Sequence, residues 1–296
     1  MAAWVIILLG VLEEGLVYSI MAMGVYITYK ILDFPDLSVD GTFPLGAAIT
    51  VIMILAGVNP LLTLLISFLT GALAGILTGL IHVKLKVRDL LSGIIMMTAL
   101  YSINLRIAGR ANVPIFSKNT IFENALLDSI VPEGFKPFLV SVILLIIVII
   151  MKLLLDLYLK TKSGYLLRAV GDNETLVTSL AKDKGTVKII GLAIANAFVA
   201  LAGCVYAQKS GFFEISSGTG TIVIGLASVI IGTNLFKKLS FVKSTTAVII
   251  GSIIYKACVA IAIRFGMVAS DLKLITAILF LGILVLSSER KRRVKQ

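Results

Sequence analysis

Long apolar runs separated by short polar breaks dominate the chain. Nine runs predict membrane-crossing helices over about 12–31, 43–57, 61–83, 90–107, 137–158, 187–207, 220–235, 244–264 and 271–288. Runs near 20 residues match the thickness of a bilayer's hydrocarbon core. Residues 1–11 are too short to cross alone and are expected along the outer interface. Four polar intervals stand out: 33–42, 108–136, 160–188 and the basic end from Arg290.

The pattern also repeats. Gly15 through Gly46 reads as an apolar helix, the polar break Asp36-Leu37-Ser38-Val39-Asp40-Gly41-Thr42, and a second short run with Gly46-Ala47-Ala48. Gly191 through Gly225 reads likewise, with the break Glu214-Ile215-Ser216-Ser217-Gly218-Thr219-Gly220 before Gly225-Leu226-Ala227-Ser228. One linking run, 137–158, lies between the two groups of four, so the second group crosses in the opposite sense. The expected plan is one all-α polytopic domain over 1–296. It comprises repeat one at about 12–107, the link, a cytoplasmic segment at 160–187, inverted repeat two at about 187–288, and a basic tail at 289–296.

Composition agrees with a membrane protein. The chain is 58% hydrophobic, with a mean hydropathy of +1.06, too apolar for a soluble domain. Its net charge of +11 could suggest nucleic acid, but the basic residues sit in a few short loops and mark one side of a membrane. Arg290 to Arg293 place the C-terminus in the cytoplasm. Counting back puts Lys84, Lys86, Arg88, Lys160, Lys162, Arg168, Lys182, Lys184, Lys188, Lys237, Lys238 and Lys243 there too, and the N-terminus outside. Cys204 and Cys258 both fall in apolar runs and predict neither a disulfide nor a metal site. The N-terminus lacks a basic stretch, and Glu13-Glu14 interrupts its apolar run, so no cleaved leader is expected.

The segment from Lys160 to Lys188 predicts two short amphipathic helices divided at Gly171. Asp172 or Asn173 would cap the second, with Glu174 in its first turn, Lys182 and Lys184 near its last, and Gly185 as its stop. Leu176, Val177 and Leu180 would then share one face, suited to docking on another protein. The run Gly164, Arg168, Ala169, Gly171 and Asn173 matches Gly-x-x-x-Arg-Ala-x-Gly-x-Asn, and here the chain resembles ABC importer permeases of the branched-chain amino-acid type. In that family the run precedes the coupling helix that seats in the ATPase subunit. Leu176 and Val177 replace a usual pair of alanines, and Ala181 a frequent glycine.

The resemblance extends to the first break. Ile31 to Gly41 occupies the place of an Ile-Asn-Phe-Ala-His-Gly run ahead of Leu45-Gly46-Ala47, and its Asp-Leu-Ser-Val-Asp-Gly form resembles a bacterial subgroup associated with aromatic amino-acid uptake. The resemblance implies a type II-like permease fold in the bacterial cell membrane. It also implies two copies of an ATPase subunit carrying ATP and Mg, an extracellular or periplasmic substrate-binding protein, and a second copy of the permease as a homodimer. No cofactor is expected on this chain. The coupling residues implied are Arg168, Ala169, Gly171, Asp172, Asn173, Glu174, Leu176, Val177 and Leu180.

Carboxylates inside a bilayer are costly, so Asp33, Asp36 and Asp40, with Ser38, are expected to face water, a cavity or one another. Ser216, Ser217 and Thr219 hold the corresponding place in the second repeat, and together these residues are candidates for a translocation pathway. A hydrated cytoplasmic turn is the plainer reading of 33–42. Lys256, well inside a predicted span, is expected to snorkel outward rather than find an acid. Lone His82 suits an interface, and Gly71, Ala72, Ala74 and Gly75 suit close helix packing. No Gly-x-x-x-x-Gly-Lys-Ser/Thr run occurs, so any ATP is bound by another subunit. The alternative function is an ion-coupled secondary transporter using the three aspartates; a scaffold or enzyme has no sequence feature in its favour.

Overall fold

The computed structural model describes residues 3–124, 129, 131–132, 134–173, 183–237, 239, 241–264, 274, 276–278, 280–282 and 285. The chain is a helical bundle. Seven helical stretches among the described residues are long and apolar enough to cross a membrane, and Val39–Leu55 is a shorter apolar helix. Eight of the nine predicted spans are therefore present as helices, whereas the ninth, 271–288, falls mostly outside the described residues.

Helix α1 (Ala3–Val25) runs on into a π-helical turn, Tyr26–Ile31, so residues 4–31 form one span. This corrects the expectation of a separate interfacial segment at 1–11: no breaker lies between it and the span, and Glu13-Glu14 are good helix formers. Helices α2 (Val39–Leu55), α3 (Pro60–Val83) and α4 (Asp89–Ala108) follow. A short strand β1 (Asn112–Pro114) leads toward α5 (Lys136–Tyr158) and the short α6 (Lys162–Asp172). Then come α7 (Lys184–Ser210), strand β2 (Phe212–Glu214), a 3-10 turn (Ile215–Gly218), α8 (Thr221–Leu235) and α9 (Ser244–Arg264).

Local chemistry sets the boundaries. Asn59 caps α3 by accepting from the Leu61 amide at 2.9 Å, with Pro60 at the first helical position. Asp183 caps α7, accepting from the Gly185 amide at 2.9 Å and the Thr186 amide at 3.3 Å. Gly185 therefore starts a helix instead of stopping one, which corrects the expected role. Gly211 closes α7 in the left-handed conformation with φ +77°.

Helices α1 and α7 pack together at the centre, and each also packs on a helix from the other half: α7 on α3, and α1 on α9. The short helices exchange in the same way, α2 lying on α7 and α8 on α1. Small residues permit the close approach. Gly71, Gly75 and Gly79 turn one face of α3 onto the α7 backbone near Asn196, Leu192 and Ile189, leaving no room for side chains. Strands β1 and β2 pair antiparallel, Val113 opposite Phe213, and join the two halves at the end where α4 and α7 finish. The Ile121 amide donates to Gln208 Oε1 at 2.9 Å, so the loop after β1 lies over the end of α7.

Candidate functional site

Two polar breaks meet inside the bundle. The first begins where α1 unwinds: the π-helical turn ends with the Leu32 amide on the Ile27 carbonyl and the Phe34 amide on the Thr28 carbonyl, both at 2.9 Å. Asp33 takes a left-handed φ of +52°, which a short polar side chain tolerates better than most. Pro35 then holds the chain extended. Asp36 Oδ1 accepts from the Ser38 amide at 2.9 Å and starts α2.

The level of that start is set by Asn196, near the middle of α7. Asn196 Nδ2 donates to Asp36 Oδ2 at 2.8 Å and to the Leu192 carbonyl at 3.1 Å. Its Oδ1 accepts from Ser38 Oγ at 3.2 Å and Thr42 Oγ1 at 2.8 Å. One amide thus satisfies three side chains of the break. Asp36 is 1% exposed and Ser38, Thr42 and Asn196 are 0% exposed, so the break is largely buried from Asp36 on, while Asp33 and Pro35 ahead of it are exposed.

The second break is held by the first. Helix α8 begins after Gly220, whose φ of +85° and missing side chain leave the helix N-terminus without a cap of its own. Asp40, in the first turn of α2, supplies it. Asp40 Oδ2 accepts from the Gly220 amide at 2.8 Å, and Oδ1 from the Ile222 amide at 2.8 Å and Thr221 Oγ1 at 2.9 Å. A carboxylate is well placed against the positive end of a helix dipole. Pro44 cannot donate to the Asp40 carbonyl, and Gly218 sits directly against that carbonyl.

The candidate pathway residues therefore divide. Asp36, Ser38 and Asp40 come together with the start of α8 through Asn196 and the α8 amides. Asp33, Ser216 and Thr219 are exposed, and Ser216 Oγ turns to the side chain of Glu214. Ser217 Oγ is buried without a protein partner among the described residues. The sequence reading missed Asn196, Gln208 and Asn104, whose Nδ2 donates to the Gly41 carbonyl at 2.9 Å. Their signal was an amide inside an apolar run, which requires a partner in lipid.

At the other end of α7 lies the segment with the Arg-Ala-x-Gly-x-Asn run. Helix α6 is capped by Thr161, whose Oγ1 accepts from the Gly164 amide at 3.2 Å, and it continues through Gly171 to Asp172. Helix α6 therefore ends within a residue of the expected division at Gly171, with Asn173 extended beyond it. Gly171 also sits on the Ile31 carbonyl, where the first break begins, and a Cβ has no space. Gly164, Leu167 and Val170 are buried, Ala169 is half-buried, and Arg168, Asp172 and Asn173 are exposed. Glu174, Leu176, Val177 and Leu180, with the rest of the expected second helix, lie outside the described residues.

Lys256 does not snorkel. Its Nζ donates to Glu14 Oε2 at 2.9 Å and lies 3.7 Å from the centroid of the Tyr18 ring. His82 Nδ1 is 2.9 Å from the Val87 carbonyl, and its ring stands edge-on to Phe34.

This arrangement of two shorter helices meeting within a bundle of longer apolar ones accompanies a match in sequence. Residues 7–287 match the branched-chain amino acid transport system / permease component family. The chain belongs to this family of permeases. Its relatives include a tyrosine transport system permease protein of Clostridioides difficile, 47% identical over 94% of this chain and 90% of the relative. A probable branched-chain amino acid transport permease of Methanocaldococcus jannaschii is 27% identical over 72% of this chain and 70% of its own length. A ribose import permease of Escherichia coli is 26% identical over 76% of this chain and 68% of its own length. No solved structure matches the permease. It is an ABC-type, multi-pass membrane transport protein, with relatives named for amino-acid transport.

Proposed function

We propose that this permease is the membrane subunit of an ATP-driven importer for an amino acid, with tyrosine and related aromatic amino acids first in order. The observation that carries the proposal is the 47% identity, along nearly the whole of both chains, to a tyrosine transport system permease. Two ATPase subunits would act on the cytoplasmic side, a binding protein would deliver solute from outside, and a second copy of the permease would complete the pathway. The bacterial inner membrane, with the N-terminus outside and the C-terminus inside, is the setting we assign.

The geometry supports a coupling route. Helix α6 rests through Gly171 on Ile31, and from Ile31 the chain leads within a few residues to Asp36 and the α2–α8 junction. A shift of the cytoplasmic segment would therefore reach the middle of the bundle through backbone contacts. Alternating access would follow if ATP binding closed the ATPase pair and re-posed that junction. The reciprocal packing of α1 to α3 with α7 to α9 supports the inverted repeat. The ion-coupled alternative gains no support, because Asp33 is exposed while Asp36 and Asp40 bond to different elements.

The test is co-purification from native membranes followed by reconstitution. Retention of an ATPase subunit, and tyrosine accumulation that requires ATP inside the cell or vesicle, is the expected result. Tyrosine accumulation driven by a proton or sodium gradient without ATP refutes the proposal.

A further inference from the structure

Four charged side chains stand together away from the α2–α8 junction. Glu14 pairs with Lys256 at 2.9 Å, and Glu13 pairs with Lys209 at 3.3 Å. Glu13 also accepts from Ser141 Oγ at 3.0 Å. They lie within the Trp4–Ile31, Lys184–Ser210 and Ser244–Arg264 spans. Glu14 is about 15 Å along α1 from Trp4. Lys209 lies in the last turn of α7, so the cluster sits near the end of that span, and charges within spans are retained for a reason because inserting each is costly.

The cluster has an open side. The Glu14 side chain is 50% exposed, whereas that of Lys256 is 12% exposed. Beneath Lys256 is an aromatic floor: Tyr18 stacks on Phe43 at 5.8 Å between centroids, and Tyr206 meets both rings edge-on or tilted. Tyr18 is held in place by packing, being 8% exposed, and α9 is tied to α1 beside it by Ser252 Oγ, which donates to the Gly15 carbonyl at 2.9 Å.

We infer that the Glu14–Lys256 pair over Tyr18 and Tyr206 is a transient binding site for a zwitterionic aromatic amino acid. This rests on the amino-acid reading above and adds the residues that recognise the solute. A zwitterion carries one carboxylate and one ammonium group. It can insert between Lys256 and Glu14 and leave every charge with a counter-charge, the carboxylate on Lys256 and the ammonium on Glu14. A solute with only one of these charges leaves one member of the pair unmatched, and a neutral sugar offers neither. The aromatic side chain then meets the half-buried Tyr206 ring, where offset or edge contacts are favourable, because both faces of Tyr18 are covered by Phe43 and Lys256. Because the empty site is already paired with itself, exchange replaces one ion pair by two and binding stays weak enough for release.

The test uses cells deleted for their own copy of the gene and carrying this permease or its variants, with labelled L-tyrosine as probe. Wild type is expected to restore uptake, and unlabelled tyrosine to compete at least tenfold better than tyramine or 3-(4-hydroxyphenyl)propanoate. Glu14→Gln and Lys256→Met are each expected to lower uptake at least tenfold at equal membrane abundance, while Lys256→Arg keeps more than half. The double exchange Glu14→Lys with Lys256→Glu restores the pair but reverses the solute's orientation over the rings. It is expected to recover the thermal stability of the purified chain and not the uptake. Uptake that recovers with stability shows a helix clamp only and overturns the inference, as does normal uptake by Glu14→Gln and Lys256→Met. Should wild type restore no tyrosine uptake, the amino-acid reading itself falls, an outcome separate from failure of this site.

Discussion

Removing the carboxylate of Asp40 should loosen one half of the bundle from the other. In Asp40→Ala, the Gly220 and Ile222 amides and the Thr221 hydroxyl lose their common acceptor. A hydrogen bond to a charged group contributes about 1.5–3 kcal/mol, and leaving a buried donor unsatisfied adds cost. Asp40 is half-buried, so water recovers part of the loss. A net loss of about 3 kcal/mol is the reasonable figure for the three bonds together. At about 2 °C per kcal/mol for a chain of this size, the purified protein should melt about 6 °C lower. Thr221→Val removes one of the three bonds and should cost about 2 °C alone, and clearly less in the Asp40→Ala background, where the hydroxyl keeps only the Gly218 carbonyl at 3.0 Å. Melting of the detergent-purified chain, followed by tryptophan-independent thiol labelling at buried Cys204, gives the comparison. A change below about 1 °C for Asp40→Ala, or full additivity of the two substitutions, would refute the trans cap.

Gly171→Leu forces a side chain against the Ile31 carbonyl, and overpacking of about 1–3 kcal/mol should lift α6 and speed tryptic cleavage at Arg168 about tenfold. Gly10→Leu, which meets nothing within 4 Å, should leave cleavage unchanged. Hydrogen bonds from the Thr186 hydroxyl and the Gly185 amide hold the Asp183 carboxyl below the usual carboxylate range. Because its folded pKa is depressed, the α7 cap is at full strength above the ordinary carboxylate value and is lost as pH falls through the depressed one. A side-chain NMR titration of Asp183 should show the low midpoint, and Thr186→Val should move it up; a midpoint unmoved by that substitution would dismiss the cause. A cysteine at Asn119 should react with an impermeant maleimide in intact cells, and one at Asp183 only after permeabilisation, with reversed labelling overturning the assigned orientation.

Hydropathy located most of the helices because burial in lipid is a property of each segment by itself. Helices α3 and α5 begin and end within about one residue of the expected spans, and α9 begins where expected. Both ends of α7 extend past the expected 187–207, since Asp183 caps it early and Gly211 closes it late, and apolar counting does not weigh caps. The breaks at 33–42 and 214–220 were visible as polar interruptions, and their similarity suggested that they belong together. Their bonding was not visible, because Asn196 lies 160 residues from Asp36 and the α8 amides about 180 from Asp40. Lys256 was misjudged for the same reason: its acid, Glu14, is 242 residues away. Gly171 marks the end of α6 to within a residue, and its missing Cβ also admits the Ile31 carbonyl, a contact that composition does not show.

The short helices have a mechanical relation to the surrounding lipid that the long ones do not share. Only Leu55 of α2 and Leu235 of α8 are exposed, whereas α3 shows Leu61, Leu65, Leu69, Leu73 and Leu77 outward and α5 shows Ile146, Ile149, Ile150 and Leu153. A bilayer made thicker or thinner must be accommodated by tilting the helices it touches, at fractions of a kcal/mol per Å of mismatch. That load falls first on α3 and α5, and it reaches the junction of α2 with α8 only second-hand, through contacts such as Gly71 on the Asn196 carbonyl. The same joint therefore feels a change of acyl-chain length less than the helices around it, and the α6 contact at Ile31 is a second mechanical route to it.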